Sequence, residues 1–130
     1  MPASARHSSA SPYEASIGFS RAVRVGSRIL VSGTAPVEPD GSSTVGDAEV
    51  QAARCIAIIV EAVEALGGSA GDIVRTRMFL RDAADAEAVG RAHGRVFGAI
   101  RPAATMVAGA VLLRPEWLVE IEAEAELADA

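Results

Sequence analysis

The chain has 130 residues and a mass of 13.3 kDa, the size of one domain. Half of the residues are hydrophobic and 22% are charged, which supplies a packed core and excludes global disorder. Twelve arginines against 17 acidic residues leave a net charge of −5, a balance that repels phosphate backbones and anionic lipid unless a local patch overrides it.

Residues 1–12 offer little to bury and read as a flexible N-terminal tail, with a single domain over 13–130. Two strand-like runs follow, 17–25 and 28–32, and Gly26-Ser27 between them suits a tight hairpin turn. Pro39-Asp40-Gly41 marks a turn in the polar loop beyond. Asp47 is placed to cap a helix over 48–66, in which Val50, Ile56, Val60 and Val63 keep helical period and Gly67-Gly68 supplies the stop. A strand over 73–80 comes next. Asp82 or Asp85 then caps a second helix that runs to about Phe97. After Pro102 two more strands are expected, 104–112 and 117–127, with Arg114-Pro115-Glu116 turning between them.

The order β-β-α-β-α-β-β implies an α+β domain in which each helix crosses over a mixed sheet and joins parallel strands. Both alternating sets of 73–80 carry apolar residues: Ile73, Arg75, Arg77 and Phe79 on one side, Val74, Thr76, Met78 and Leu80 on the other. Two helices cover one face only, so the second face is expected to pack on a neighbouring subunit.

Several chemistries are excluded by residue content. The sequence has no lysine, which removes a Schiff-base nucleophile and covalently held pyridoxal phosphate. Two histidines and one cysteine cannot build the usual zinc sets within one chain, so no metal is expected. The lone Cys55 permits no intrachain disulfide and reads as a small core hydrophobe. No signal-peptide pattern or membrane-length apolar run is visible, which gives a cytoplasmic expectation.

The last strand carries the most unusual pattern. Val119, Ile121, Ala123, Ala125 and Leu127 alternate with Glu120, Glu122, Glu124 and Glu126. The ordinary reading is a solvated or salt-bridged stripe, with Arg75 and Arg77 as partners. The sharper reading is that one glutamate faces an enclosed cleft, takes a raised pKa and works as a general acid/base. Periodicity does not choose among the four. His93 falls on the apolar stripe of the second helix and reads as a structural imidazole, while Gly90 and Gly94 read as sites of close helix packing.

Ser32-Gly33-Thr34-Ala35-Pro36 resembles the SGQIP-type segment of the RidA/YjgF family of reactive-intermediate imine deaminases, also called endoribonuclease L-PSP. Arg101-Pro102-Ala103-Ala104-Thr105-Met106-Val107, with Leu118-Val119-Glu120-Ile121-Glu122-Ala123 after the turn, resembles the family's C-terminal signature. Gly71-Asp72-Ile73-Val74-Arg75-Thr76 and Val96-Phe97-Gly98 fall where the family has similar segments, and the resemblance spans residues 17–127. It implies a chorismate-mutase-like fold, a homotrimer with clefts between subunits, and cofactor-free hydrolysis of imines and enamines. By position it implies Glu120 as the catalytic group and Phe19, Ser32, Gly33, Ala104, Thr105 and Met106 as ligand contacts.

Two positions depart from the family pattern. Its Pro-Ala-Arg is Pro102-Ala103-Ala104 here, so the arginine that pairs with a substrate carboxylate is absent, and the common tyrosine is Phe19. Losing a charge-assisted arginine contact from a cleft costs about 2–5 kcal/mol when nothing replaces it. Arg21, Arg75, Arg77 or a partner's arginine are the candidates to replace it. The expected function is binding or hydrolysis of a small imine, enamine or related carbonyl-derived metabolite, with reduced activity on 2-imino acids. The alternative is a trimeric ligand-binding or regulatory protein without turnover. An endoribonuclease role ranks lower, because the chain is acidic, lacks lysine and is poor in aromatic residues.

Overall fold

A computed structural model describes residues 4–128 of the chain. Six strands form one sheet: β1 (Ser4–His7), β2 (Ala22–Val25), β3 (Arg28–Thr34), β4 (Ile73–Leu80), β5 (Ala103–Ala108) and β6 (Val119–Glu126). Their spatial order is β1-β2-β3-β6-β4-β5. Helices α1 (Ala48–Ala65) and α2 (Ala86–Phe97) cross the same face. Strand β6 lies antiparallel between β3 and β4, which makes those two parallel, and β4 pairs with β5 in parallel. The expected α+β architecture is therefore present, with one strand more than expected.

That extra strand is a correction. Residues 4–7, read as part of a flexible tail, pair antiparallel with β2, from Ser4 opposite Val25 to His7 opposite Ala22. Strand pairing is made by backbone groups, so a segment whose one apolar side chain is the small Ala5 can still satisfy an open sheet edge. A second correction concerns 17–25. Residues Glu14–Gly18 form a turn of π-helix instead of extended chain, and only Ala22–Val25 is strand. The strand expected over 104–112 ends at Ala108, where Gly109 turns the chain at φ +83°.

The hairpin at Gly26-Ser27 is as expected, with Val25 opposite Arg28 and Gly26 at φ +60°. Helix α1 begins where Asp47 accepts a hydrogen bond from the Val50 amide at 3.0 Å. Asp82 caps the short 3-10 turn before α2, accepting from the Ala84 amide at 2.9 Å, while Asp85 sits at the helix start without a side-chain cap.

The core lies between the helices and the covered sheet face. Ala52, Cys55, Ile56, Ile59 and Val63 of α1 and Val89, Ala92 and Phe97 of α2 pack on Ile29, Val31, Met78, Leu80, Ile121 and Ala123. Strand β4 departs from simple alternation. A bulge at Ile73/Arg75 turns Ile73 into the core with Thr76, Met78 and Leu80 and leaves Val74 exposed. His93 donates to or accepts from Thr76 Oγ1 at 2.9 Å and stacks on Phe97, the structural role expected, and burial holds its pKa below the ordinary value. Gly90 and Gly94 are not close-packing sites, since a Cβ at either would meet nothing within 4 Å.

Candidate functional site

Cross-strand register separates the four glutamates of β6. Glu122 lies opposite Arg77, whose Nη1 reaches Glu122 at 3.3 Å and Glu124 at 3.6 Å. Arg28 pairs with Glu124 at 3.1 Å and Glu126 at 3.5 Å. Glu120 lies opposite Phe79, and among the described residues its carboxylate makes no ion pair or hydrogen bond. Burial pushes its pKa above the usual carboxylate range; nearby Arg21 opposes the rise and Glu122 adds to it. Three of the four therefore fit the salt-bridged stripe, and Glu120 does not.

Gly33 is placed against this carboxylate by an irregularity in the β3–β6 pairing between Val31 and Thr34. A Cβ at Gly33 would sit 3.4 Å from Glu120 Cδ and Oε2, so the glycine lets the β3 backbone lie alongside the acid. Phe19 ends the π-helical turn, its amide bonded to the Glu14 carbonyl at 2.9 Å. These three residues, with Tyr13, Arg21 and Trp117, line a cavity of about 50 Å³.

Behind the cavity stands a buried ion pair. Arg21 Nε contacts Glu14 Oε2 at 3.3 Å, with the two side chains 3% and 7% exposed. Its Nη1 donates to the Gly33 carbonyl at 2.6 Å and to Thr34 Oγ1 at 3.0 Å, and its guanidinium lies 5.4 Å from the centre of the Phe19 ring. Glu14 also accepts from the Ser9 amide at 3.0 Å and from the Ser9 hydroxyl, tying the N-terminal segment to the site. Tyr13 and Trp117 meet edge to face, their ring centres 6.1 Å apart, and the Arg114 guanidinium lies beside both, 5.5 and 5.3 Å from those centres.

Of the residues singled out from sequence, Glu120, Phe19 and Gly33 meet at one cavity. Ser32 lies beside it and serves the backbone, its hydroxyl donating to the Ser20 carbonyl at 2.7 Å. Ala104, Thr105 and Met106 are elsewhere. They lie exposed on edge strand β5, opposite Thr76, Arg77 and Met78, with β4 between them and β6. Two strand spacings, about 10 Å, separate them from Glu120 within one chain. Sequence reading missed the Glu14–Arg21 pair and the roles of Tyr13 and Trp117. An arginine inside an apolar run, seven residues from an acid, was the available signal for the first. Among the described residues no group of three or more His, Cys, Asp or Glu side chains is gathered for a metal, and no helix is long and apolar enough to cross a membrane.

A six-stranded mixed sheet with two crossing helices and an acid beside a glycine-lined backbone defines a class of small α+β proteins. The chain overlays on the crystal structure of Rv2704 from Mycobacterium tuberculosis, a member of the YjgF/YER057c/UK114 family, with a TM-score of 0.87 and 35% identity, covering 95% of this chain and 99% of that one. The family described as Endoribonuclease L-PSP matches residues 9–127, and the chain belongs to this RidA/YjgF family. It is 37% identical over 120 residues to the uncharacterized protein SCO2049 of Streptomyces coelicolor, covering 92% of this chain and 90% of that protein. It is also 34% identical over 84 residues to the 2-iminobutanoate/2-iminopropanoate deaminase of Salmonella typhimurium, covering 64% and 66% of the two chains.

Proposed function

We propose that the protein binds and hydrolyses a small imine, enamine or related carbonyl-derived metabolite, with Glu120 as its acid/base. The observation that carries this reading is the isolation of Glu120: it is the one glutamate of β6 without an ion pair among the described residues, half-buried, with its pKa raised. A carboxyl group that keeps its proton at higher pH can protonate a leaving nitrogen and, once ionised, accept a proton from attacking water. Water adds to the imine carbon, the C–N bond of the resulting carbinolamine breaks, and a carbonyl compound and ammonia leave. Glu120 returns to its starting state. The name of the Salmonella relative supports the reaction class.

The site is completed in a homotrimer. Ala104, Thr105 and Met106 are exposed on an edge strand and too far from their own Glu120, which suits a role in the cleft of a neighbouring subunit. Phe19 and Ala104 bring no polar group to that cleft. A 2-imino acid then lacks its usual carboxylate anchor, and turnover of such substrates is expected to fall about 30-fold or more.

Hydrolysis of imino acids generated in situ by an amino-acid oxidase, with semicarbazide trapping as the competing reaction, tests this on wild type, Ala104→Arg and Glu120→Gln. Faster hydrolysis by Ala104→Arg than by wild type, lost again when Glu120→Gln is added, is the expected outcome. Fast wild-type turnover abolished in Glu120→Gln means that another residue holds the carboxylate. Inactivity of all three favours the second reading, a binding protein without turnover, which the apolar Phe19 and Ala104 also suit.

A further inference from the structure

A second cavity, of about 200 Å³, is lined by the N-terminal segment and α1 and adjoins the Glu120 cavity, sharing Ser11, Arg21 and Ala35 with it. At about 30 Å³ per water in the liquid, it has room for about seven waters or an organic molecule with as many heavy atoms. Arg54, Ile58 and Glu61 line it from α1, at a spacing that puts all three on one face of the helix. Ser9 and Arg21 also line it.

The charged groups of this wall are incompletely used. Arg54 spends Nε on the Val37 carbonyl at 2.9 Å and lies 3.9 Å from Glu38, and its side chain is 25% exposed. Among the described residues its Nη1 and Nη2 make no hydrogen bond, and neither does Nη2 of Arg21. Among the described residues every side-chain nitrogen or oxygen fully shut off from solvent has a partner, so these unpartnered Nη atoms each keep some contact with solvent, although the Arg21 side chain as a whole is only 3% exposed. The Glu61 carboxylate makes no ion pair or hydrogen bond among the described residues, although it shares a helix face with Arg54. Seven residues along a helix is about 10 Å of axis, which keeps the two from meeting directly.

From this arrangement we propose that the cavity is a second small-molecule site, taking a compact zwitterion of the amino-acid class. Its carboxylate meets the free edge of Arg54, and its ammonium meets Glu61. Its carbon chain lies on Ile58. A simple anion fits less well, because Glu61, Glu38 and Glu14 stand around the two arginines and a ligand of zero net charge keeps the local balance. The proposal is independent of the chemistry assigned to Glu120.

Methyl NMR of the full chain with 4-aminobutanoate, butanoate and butylamine as probes tests it. The three share a carbon chain and differ only in which charges they carry. Saturable shifts of the Ile58 and Val37 methyls are expected with 4-aminobutanoate, with the Ile17 and Leu113 methyls of the Glu120 cavity unmoved. Each single-charge probe is expected to bind about tenfold more weakly, as is 4-aminobutanoate to Arg54→Gln and to Glu61→Gln. Glu61 is exposed, so its variant keeps the fold even if Arg54→Gln does not. Butanoate binding as tightly as 4-aminobutanoate overturns the proposal, as do shifts confined to Ile17 and Leu113 or the absence of saturation at Ile58.

Discussion

Arg21 and Glu14 bear on both stability and chemistry. Each is nearly fully buried, and removing one partner leaves the other charge without compensation. Glu14→Ala is expected to cost about 3–5 kcal/mol in urea unfolding, much of which should return in an apolar double replacement of both residues. Glu120 sets a pH dependence of definite sign. Its folded pKa is raised, so between the ordinary carboxylate value and the raised one the folded chain holds a proton that the unfolded chain has released. Its contribution to stability therefore falls as pH rises through that window. Calorimetry should show Glu120→Gln gaining on wild type across it, and a constant difference between the two would contradict the burial assigned to Glu120. His93 works in the opposite direction: its folded pKa is depressed, so its contribution is lost as pH falls below the ordinary imidazole value.

At the scale of elements, α1 ends in a Schellman arrangement. The Gly68 amide bonds to the Val63 carbonyl at 2.9 Å and the Gly67 amide to the Glu64 carbonyl at 3.1 Å, with Gly67 at φ +96°. Gly67→Ala is expected to cost about 1–2 kcal/mol, read as a lowered midpoint in thermal unfolding, because an L side chain is strained there. The Gly-Gly stop was legible in the sequence, as were the Asp47 cap, both helices and the Gly26 hairpin, since each depends on residues within a few positions of one another. The bulge at Ile73/Arg75 was not. It moves Ile73 to the opposite face from the one its parity gives, and nothing in 73–80 itself marks where alternation breaks.

At the scale of the whole molecule, the exposed edge strand β5 sets the expectation. All six of its residues are exposed, including Met106 and Val107, and the strand ends the sheet with unpaired backbone groups. Light scattering of the purified chain is expected to give three times the 13.3 kDa chain mass, and Val107→Asp is expected to shift it toward a single chain. A wild-type monomer at micromolar concentration would remove the shared cleft and with it the role given to Ala104, Thr105 and Met106.

The sequence by itself determined the periods, the caps and the stripe of four glutamates, because these follow from bonding between near neighbours along the chain. It also carried the resemblance that singled out Glu120, Phe19 and Gly33. Only the tertiary structure decided why Glu120 differs from Glu122, Glu124 and Glu126. That difference comes from register: Phe79 stands opposite Glu120, whereas Arg77 reaches Glu122 and Glu124 and Arg28 reaches Glu124 and Glu126. The same holds for residues 4–7, which became a strand because β2 offered them an unpaired edge. A partner distant in sequence is chosen by packing of the whole sheet, and no local pattern encodes that choice.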